Sequence, residues 1–363
     1  MEKFEGLNVS SKFGICGMPL RVDSYKTCSF GCRYCFANGR KIMEFEKNLS
    51  VADTASIERR LERIFRDGRY DNTNFLDKLI ADRITWHFGG MSDPFQPINE
   101  RLRVTNQIID IGNRYGVTMC ISTKSDTVHG ANIQPDLHSF QLSVSNVRNR
   151  RDIEPEVPDI ESRLRFFKEL IGGGYHVGIR IQPFIPGVSG LDIVKMFEGA
   201  DHFIVEGLKV IPQDGEQKDY CFGELGMNPK LFTQMGLFNL LPEYRLQLYA
   251  PLIDYFEKKG ISYSISDNDL RRYGNNHCCC GDKLIAKSPG FDVTAIINDG
   301  GTWSLNHVLE KVGDYGDCVA KDLFTSNRIY GCQTVRDFFC MRFKSDKSPM
   351  SPLFQYEPQP TLF

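Results

Sequence analysis

Residues 84–90 read Ile-Thr-Trp-His-Phe-Gly-Gly and residues 117–122 read Val-Thr-Met-Cys-Ile-Ser. Runs rich in β-branched and aromatic residues suit strands, and the double glycine stops the first one. Between them, from about Arg101 to Arg114, apolar residues recur at helical spacing, and Gly116 suits the left-handed position that closes a helix. A strand, a helix and a second strand joined over this length pair in parallel, because antiparallel neighbours need only a short turn. This unit sets the fold class.

The same rhythm extends outward. Phe140 to Val144, His176 to Gln182 and His202 to Val205 read as further strands. A helix from about Glu161 to Ile171 puts Leu164, Phe167, Leu170 and Ile171 on one face and closes at Gly172-Gly173-Gly174. Upstream, Asp53 suits a helix cap, with Ile57, Leu61, Ile64 and Phe65 repeating behind exposed Arg59, Arg60, Arg63 and Arg66. The pattern predicts an α/β protein, a partial (β/α)6 TIM-like barrel with a cysteine-rich C-terminal extension. Residues 1–14 form a lead-in and 15–210 the core barrel. Residues 211–270 complete it, with a helical pattern over Pro242–Lys259 interrupted at Pro251 and a strand over Ile261–Ser266. Residues 271–363 are the extension.

With 363 residues, 44 Lys plus Arg against 46 Asp plus Glu and a net charge of -2, the chain does not coat nucleic acid by bulk charge, although a local basic groove stays compatible. A hydrophobic content of 41% and a charged content of 25% exclude a disordered chain. No run approaches the roughly 18 apolar residues of a membrane span, and Met1 to Gly6 lacks a signal-peptide pattern, so a cytoplasmic location is expected. There the 12 cysteines stay reduced, which favours metal or thiol chemistry over disulfides.

Thr27-Cys28-Ser29-Phe30-Gly31-Cys32-Arg33-Tyr34-Cys35-Phe36 carries three cysteines spaced C-x3-C-x2-C. Three thiolates on a loop that a glycine lets curl can wrap one face of a [4Fe–4S] cube. The fourth iron then has no protein ligand and is open to a substrate or cofactor, as an open zinc position is. A zinc site completed by His87 or distal cysteines, or inert packed thiols, are the alternatives.

The segment resembles the signature of the radical S-adenosylmethionine (SAM) superfamily, C-x3-C-x-aromatic-C, with Tyr34 in the aromatic place. The resemblance implies that Cys28, Cys32 and Cys35 hold a [4Fe–4S] cluster whose open iron chelates SAM. One electron then yields methionine and a 5′-deoxyadenosyl radical that abstracts hydrogen from a substrate. It implies further that Gly89, Gly90, Ser92 and Asp93 face the methionine amino group. Lys124 would meet the carboxylate, Ser143 and Ser145 the ribose, and Arg180 the same site from the fifth strand. Such sites are built at the C-terminal strand ends. A reductant such as flavodoxin or ferredoxin would supply the electron.

Phe88 to Pro97, Ile121 to Ser125 and Ile179 to Gly187 are similar to the spore photoproduct lyase and DNA-repair-photolyase-like branch, over roughly residues 15–210. That branch returns hydrogen from a cysteine at the end of the second strand. Phe88 to Asp93 contains none, and Cys120, one strand along, reads as packed. The branch implies a nucleic-acid base or nucleotide as substrate. Arg148, Arg150 and Arg151, with Arg101 and Arg103, offer phosphate contacts, yet Asp152, Glu154, Glu156 and Asp159 can balance them. A peptide or small metabolite is the other substrate reading, and a non-catalytic iron–sulfur or zinc protein the reading from another class. In the extension, Cys278, Cys279, Cys280, Cys318, Cys332 and Cys340 are candidates for a second iron–sulfur or zinc centre.

Overall fold

The computed structural model describes residues 1–9, 18–37, 49–233, 238–267, 269–276, 281 and 315. The cysteines from 278 onward lie outside the described residues. In chain order the strands are β1 (Glu2–Phe4), β2 (Leu7–Val9), β3 (Leu20–Val22), β4 (Ser50–Ala52), β5 (Trp86–Phe88), β6 (Met119–Thr123), β7 (His138–Ser143), β8 (Val177–Phe184), β9 (His202–Gly207), β10 (Lys209–Val210), β11 (Phe238–Asn239) and β12 (Tyr263–Ile265). The helices are α1 (Thr54–Leu61), α2 (Phe75–Ala81), α3 (Ile98–Leu102), α4 (Val104–Arg114), α5 (Ile160–Gly172), α6 (Leu191–Met196), α7 (Gly215–Lys218) and α8 (Pro242–Lys259).

One sheet orders its eight strands β12-β9-β8-β7-β6-β5-β3-β2. All neighbours are parallel except β2 and β3, which pair antiparallel. The parallel set thus exceeds the six units expected, because the strand before the cysteine loop and the one after α8 both join it. Among the described residues no pairing closes the sheet into a barrel.

Register divides the sheet into two chemically different faces. Leu20, Trp86, Met119, Ile121, Phe140, Leu142, Val177, Ile179, Phe203 and Tyr263 align on one side and pack with Leu61, Ile108, Phe167 and Phe256 of the helices. The other side aligns Arg21, His87, Cys120 and Ser139 in one row, Ser122, Gln141, Gly178 and His202 in a second, and Ser143, Arg180, Ile204 and Ser264 in a third. A parallel sheet covered by apolar packing on both faces would read as continuous hydrophobic runs. Here the alternation in β6 and β7 marks one face as polar.

Four local expectations change. The helix read over 101–114 is two helices, broken where Arg103 takes a left-handed conformation at φ 55°. Its guanidinium compensates by donating to the carbonyls of His129 (2.8 Å) and Gly130 (3.3 Å). Of the four arginines on α1 and the π-helical turn that continues it, Arg60 and Arg63 pair with buried Asp77 at 2.8 and 2.6 Å. In α5 Phe166 and Arg163 turn inward and Ile171 is exposed, because the helix rolls to meet β7 and β8. Pro251 sits inside a continuous α8 on its exposed side, where water can satisfy the carbonyl that loses its donor. No helix of the described residues is long and apolar enough to cross a membrane.

His138 on β7 is fully buried, and its Nδ1 accepts from the Gln134 N–H at 2.8 Å. Burial lowers its pKa from 6.5 to about 4. Below about pH 6.5 the unfolded chain therefore takes up a proton that the folded chain refuses. Stability should fall by about 3 kcal/mol as pH drops through the folded value. His138→Asn keeps an acceptor for Gln134 and should flatten urea-derived stability between these pH values. An unchanged slope would show that other groups set the acid limit.

Candidate functional site

The cysteine loop follows β3 and is held from three directions. Gln96, fully buried, donates through Nε2 to the Thr27 carbonyl at 2.9 Å and accepts from the Ser29 N–H at 2.7 Å, bracketing Cys28. Gln217 donates to the Tyr34 carbonyl at 2.7 Å, beside Cys35. The Arg33 N–H bonds the Ile153 carbonyl at 3.0 Å, and its guanidinium lies 4.1 Å over the Tyr220 ring while pairing with Glu224. Gly31 takes φ +62° with open space around it, the conformation that lets the loop curl.

Cys28, Cys32 and Cys35 share one cluster with Phe30, Tyr34, Leu208 and Tyr220. Burial, then Asp93, pushes the Cys28 thiol up to about 12, and burial with Glu154 raises Cys32; the thiols also raise one another. Among the described residues no three His, Cys, Asp or Glu side chains form a ready chelate for a metal ion. The donor set nevertheless fits an iron–sulfur group. Neighbouring thiols, with Cys28 and Cys32 held protonated by burial, ionise together only beside a group that brings its own positive charge.

At the same end of the sheet, Glu154 gathers the residues behind the loop. Its carboxylate accepts from Lys124 Nζ and Asn146 Nδ2, each at 2.7 Å, and from the Tyr34 hydroxyl. Burial alone would raise its pKa, but Lys124 and Arg163 hold it below the usual glutamate range. Lys124 Nζ also reaches Ser145 Oγ at 3.4 Å and the Ser143 carbonyl at 3.5 Å, and Tyr34 and Ser145 exchange a hydrogen bond at 3.1 Å. Tyr34, Lys124, Ser143 and Ser145 therefore lie together.

The loop after β5 is engaged by the protein itself. Asp93 accepts from the Lys124 N–H (2.6 Å), the Thr123 hydroxyl (2.7 Å) and the Phe95 N–H (2.9 Å). Ser92 donates to the Tyr25 carbonyl at 2.7 Å. A Cβ on Gly89 would sit 2.5 Å from the Ser122 carbonyl, and one on Gly90 2.2 Å from Arg21 Cδ. These glycines let strands and loop close on each other. Asp23, unforeseen in the sequence, accepts from Met91 and Ser92 N–H groups and fixes the same loop.

Arg180 stands apart from this group. It reaches across the polar face to His87 Nε2 (3.2 Å), Ser122 Oγ (3.2 Å) and Gln141 Oε1 (2.7 Å), and to Gln182. Arg150 pairs with Asp152 at 2.5 Å and Arg151 with Asp159 at 2.5 Å, so the basic knot is largely balanced by its neighbours. Cys120 is buried on the polar face.

No family model matches the sequence. Uncharacterized proteins of Mycobacterium tuberculosis and Mycobacterium bovis are each 22% identical over 183 residues, covering 47% of this chain and 52% of theirs. The match thus spans about half the length of those relatives. A mutant of spore photoproduct lyase superposes with a TM-score of 0.50 at 15% identity, over 68% of this chain and 76% of that one. A second mutant, with dinucleoside spore photoproduct, gives a TM-score of 0.51 at 15% identity over 72% and 81%. The chain has the fold of spore photoproduct lyase. The relationship expected from the cysteine spacing and the three similar passages is met at the level of the fold. Asp23, Gln96 and Gln217 are site residues that the sequence did not reveal, and Glu154, read there as a balance for the arginine knot, pairs with Lys124 instead.

Two outcomes follow from this geometry. Glu154→Gln strands the Lys124 cation in a site where its side chain is 13% exposed, and should cost about 3 kcal/mol in urea unfolding. Adding Lys124→Met should recover most of that loss, whereas an additive double variant would deny the coupling. Gln96→Ala leaves the Ser29 N–H and Thr27 carbonyl unsatisfied, and should speed amide exchange at Ser29 while Gln96→Glu, which keeps the acceptor, protects it.

Proposed function

We propose that the chain is a radical SAM enzyme in which Cys28, Cys32 and Cys35 hold a [4Fe–4S] cluster. The observation that carries this is the C-x3-C-x2-C loop, anchored at the C-terminal end of a parallel sheet with the fold of spore photoproduct lyase. When bound and reduced, such a cluster supplies the electron that cleaves SAM to methionine and a hydrogen-abstracting 5′-deoxyadenosyl radical.

The chain's own residues supply position and charge. Gln96 and Gln217 fix the loop on either side of the thiols, so the cysteines are presented with little freedom to rearrange. Lys124, next to Tyr34 and Ser145, is the cation nearest the loop in this network and suits the carboxylate of the methionine moiety. Its pairing with Glu154 keeps that cation in place before the ligand arrives. Ser143 and Ser145 stand at the end of β7 for the ribose. Asp93 and Ser92, being engaged, serve by holding the backbone of the loop where the ammonium would dock. A protein reductant such as flavodoxin or ferredoxin completes the reaction.

Anaerobic reconstitution should give brown protein with iron and sulfide in equal amounts. With SAM and a strong reductant it should release 5′-deoxyadenosine, and Cys32→Ala should abolish both cluster and product. Zinc in place of iron, or a loaded protein that forms no 5′-deoxyadenosine, would overturn the reading.

A further inference from the structure

The polar face contains a cation with no carboxylate among its hydrogen-bond partners. Lys124 is compensated by Glu154, Lys209 by Glu206, and Arg245 by Asp267 and Asp269. Arg180, half-buried on β8, has only His87, Ser122, Gln141 and Gln182 as hydrogen-bond partners, and no carboxylate of the described residues pairs with it. Holding a guanidinium away from water without an anion is costly, and the cost is removed when an anion arrives.

A second group points the same way. Gln141 is fully buried; its Oε1 accepts from Ser122 and Arg180, and its Nε2 has no partner. Gln141 lies on the polar face in register with Ser122 and Gly178, so an unmet donor stands beside the uncompensated cation. Unpaired buried donors are rare and call for a partner. Two neighbouring donors, one charged, match the oxygens of a compact acid.

We propose that Arg180 and Gln141 receive an acidic group, a carboxylate or a phosphate, of the substrate. This deepens the radical SAM reading and rests on it for naming the ligand as substrate. The only acid of SAM is the methionine carboxylate, which belongs beside the cysteine loop, where Lys124 already stands. Arg180 makes no hydrogen bond to residues 28–36 and occupies the strand interior instead.

The test uses the full chain, with and without reconstituted iron. Sodium phosphate and sodium acetate are titrated separately by calorimetry against chloride at matched ionic strength. Saturable binding of one anion is expected, weakened about tenfold or more in Arg180→Gln and in Gln141→Leu, and kept in Arg180→Lys. SAM affinity of the loaded protein should stay within about twofold in every variant. Preference for phosphate assigns a nucleotide-like substrate, and preference for acetate a carboxylic acid. Absence of saturable binding, binding that Arg180→Gln leaves unchanged, or a tenfold loss of SAM affinity in its place would each overturn the assignment. Arg180-dependent binding in a protein that takes up no iron would sink the radical SAM reading while leaving the acid site standing.

Discussion

A single buried carboxylate organises the functional end of this molecule. Glu154 lies in the loop after β7, yet it ties down Tyr34 from the cysteine loop, Lys124 from the end of β6 and Asn146 from its own segment. Without it three elements far apart in sequence would have no common anchor. The pair it forms with Lys124 is nearly closed to solvent, so its worth lies in geometry more than in net stability; an apolar replacement of both partners could match it energetically. What such a replacement loses is a cation held ready beside the cysteine loop. Charge and position are supplied together, before any ligand is present.

Around this anchor the cysteine loop is gripped through its main chain. Gln96 behaves as a short stretch of added strand, offering one acceptor and one donor to the peptide groups on either side of Cys28. Nearby, Tyr25, Asn99, Asn106, Thr105 and Ser24 form a chain of buried hydrogen bonds that fastens the segment before the cysteines to the start of α4. A fully satisfied polar network is rigid, because moving any member leaves another without a partner. The loop that meets the thiols and the loop after β5 therefore move as one body.

The strands were readable because β-branched and aromatic runs end at glycines, and the thiols because three cysteines in eight residues are rare material for a core. The residues that position them were not. Glu154, Gln96 and Gln217 are isolated polar letters whose partners lie 120, 67 and 183 residues away, and no local pattern distinguishes them from a solvated loop. Arg103 misled for a related reason. Apolar periodicity runs straight through it, and only the carbonyls of His129 and Gly130, supplied by the fold, stabilise its left-handed turn. Around Arg150 and Arg151 the sequence left a phosphate grip and a balanced surface both open, and Asp152 and Asp159 fold back on them.

The one-sided core has an evolutionary consequence. Along β6, Met119 and Ile121 belong to the packing that keeps the chain folded, while Cys120 and Ser122 face the opposite way. Selection for foldability and selection for ligand choice thus act on alternate letters of the same strand. A lineage can drift to new chemistry by changing every second residue, leaving the intervening ones to preserve the scaffold.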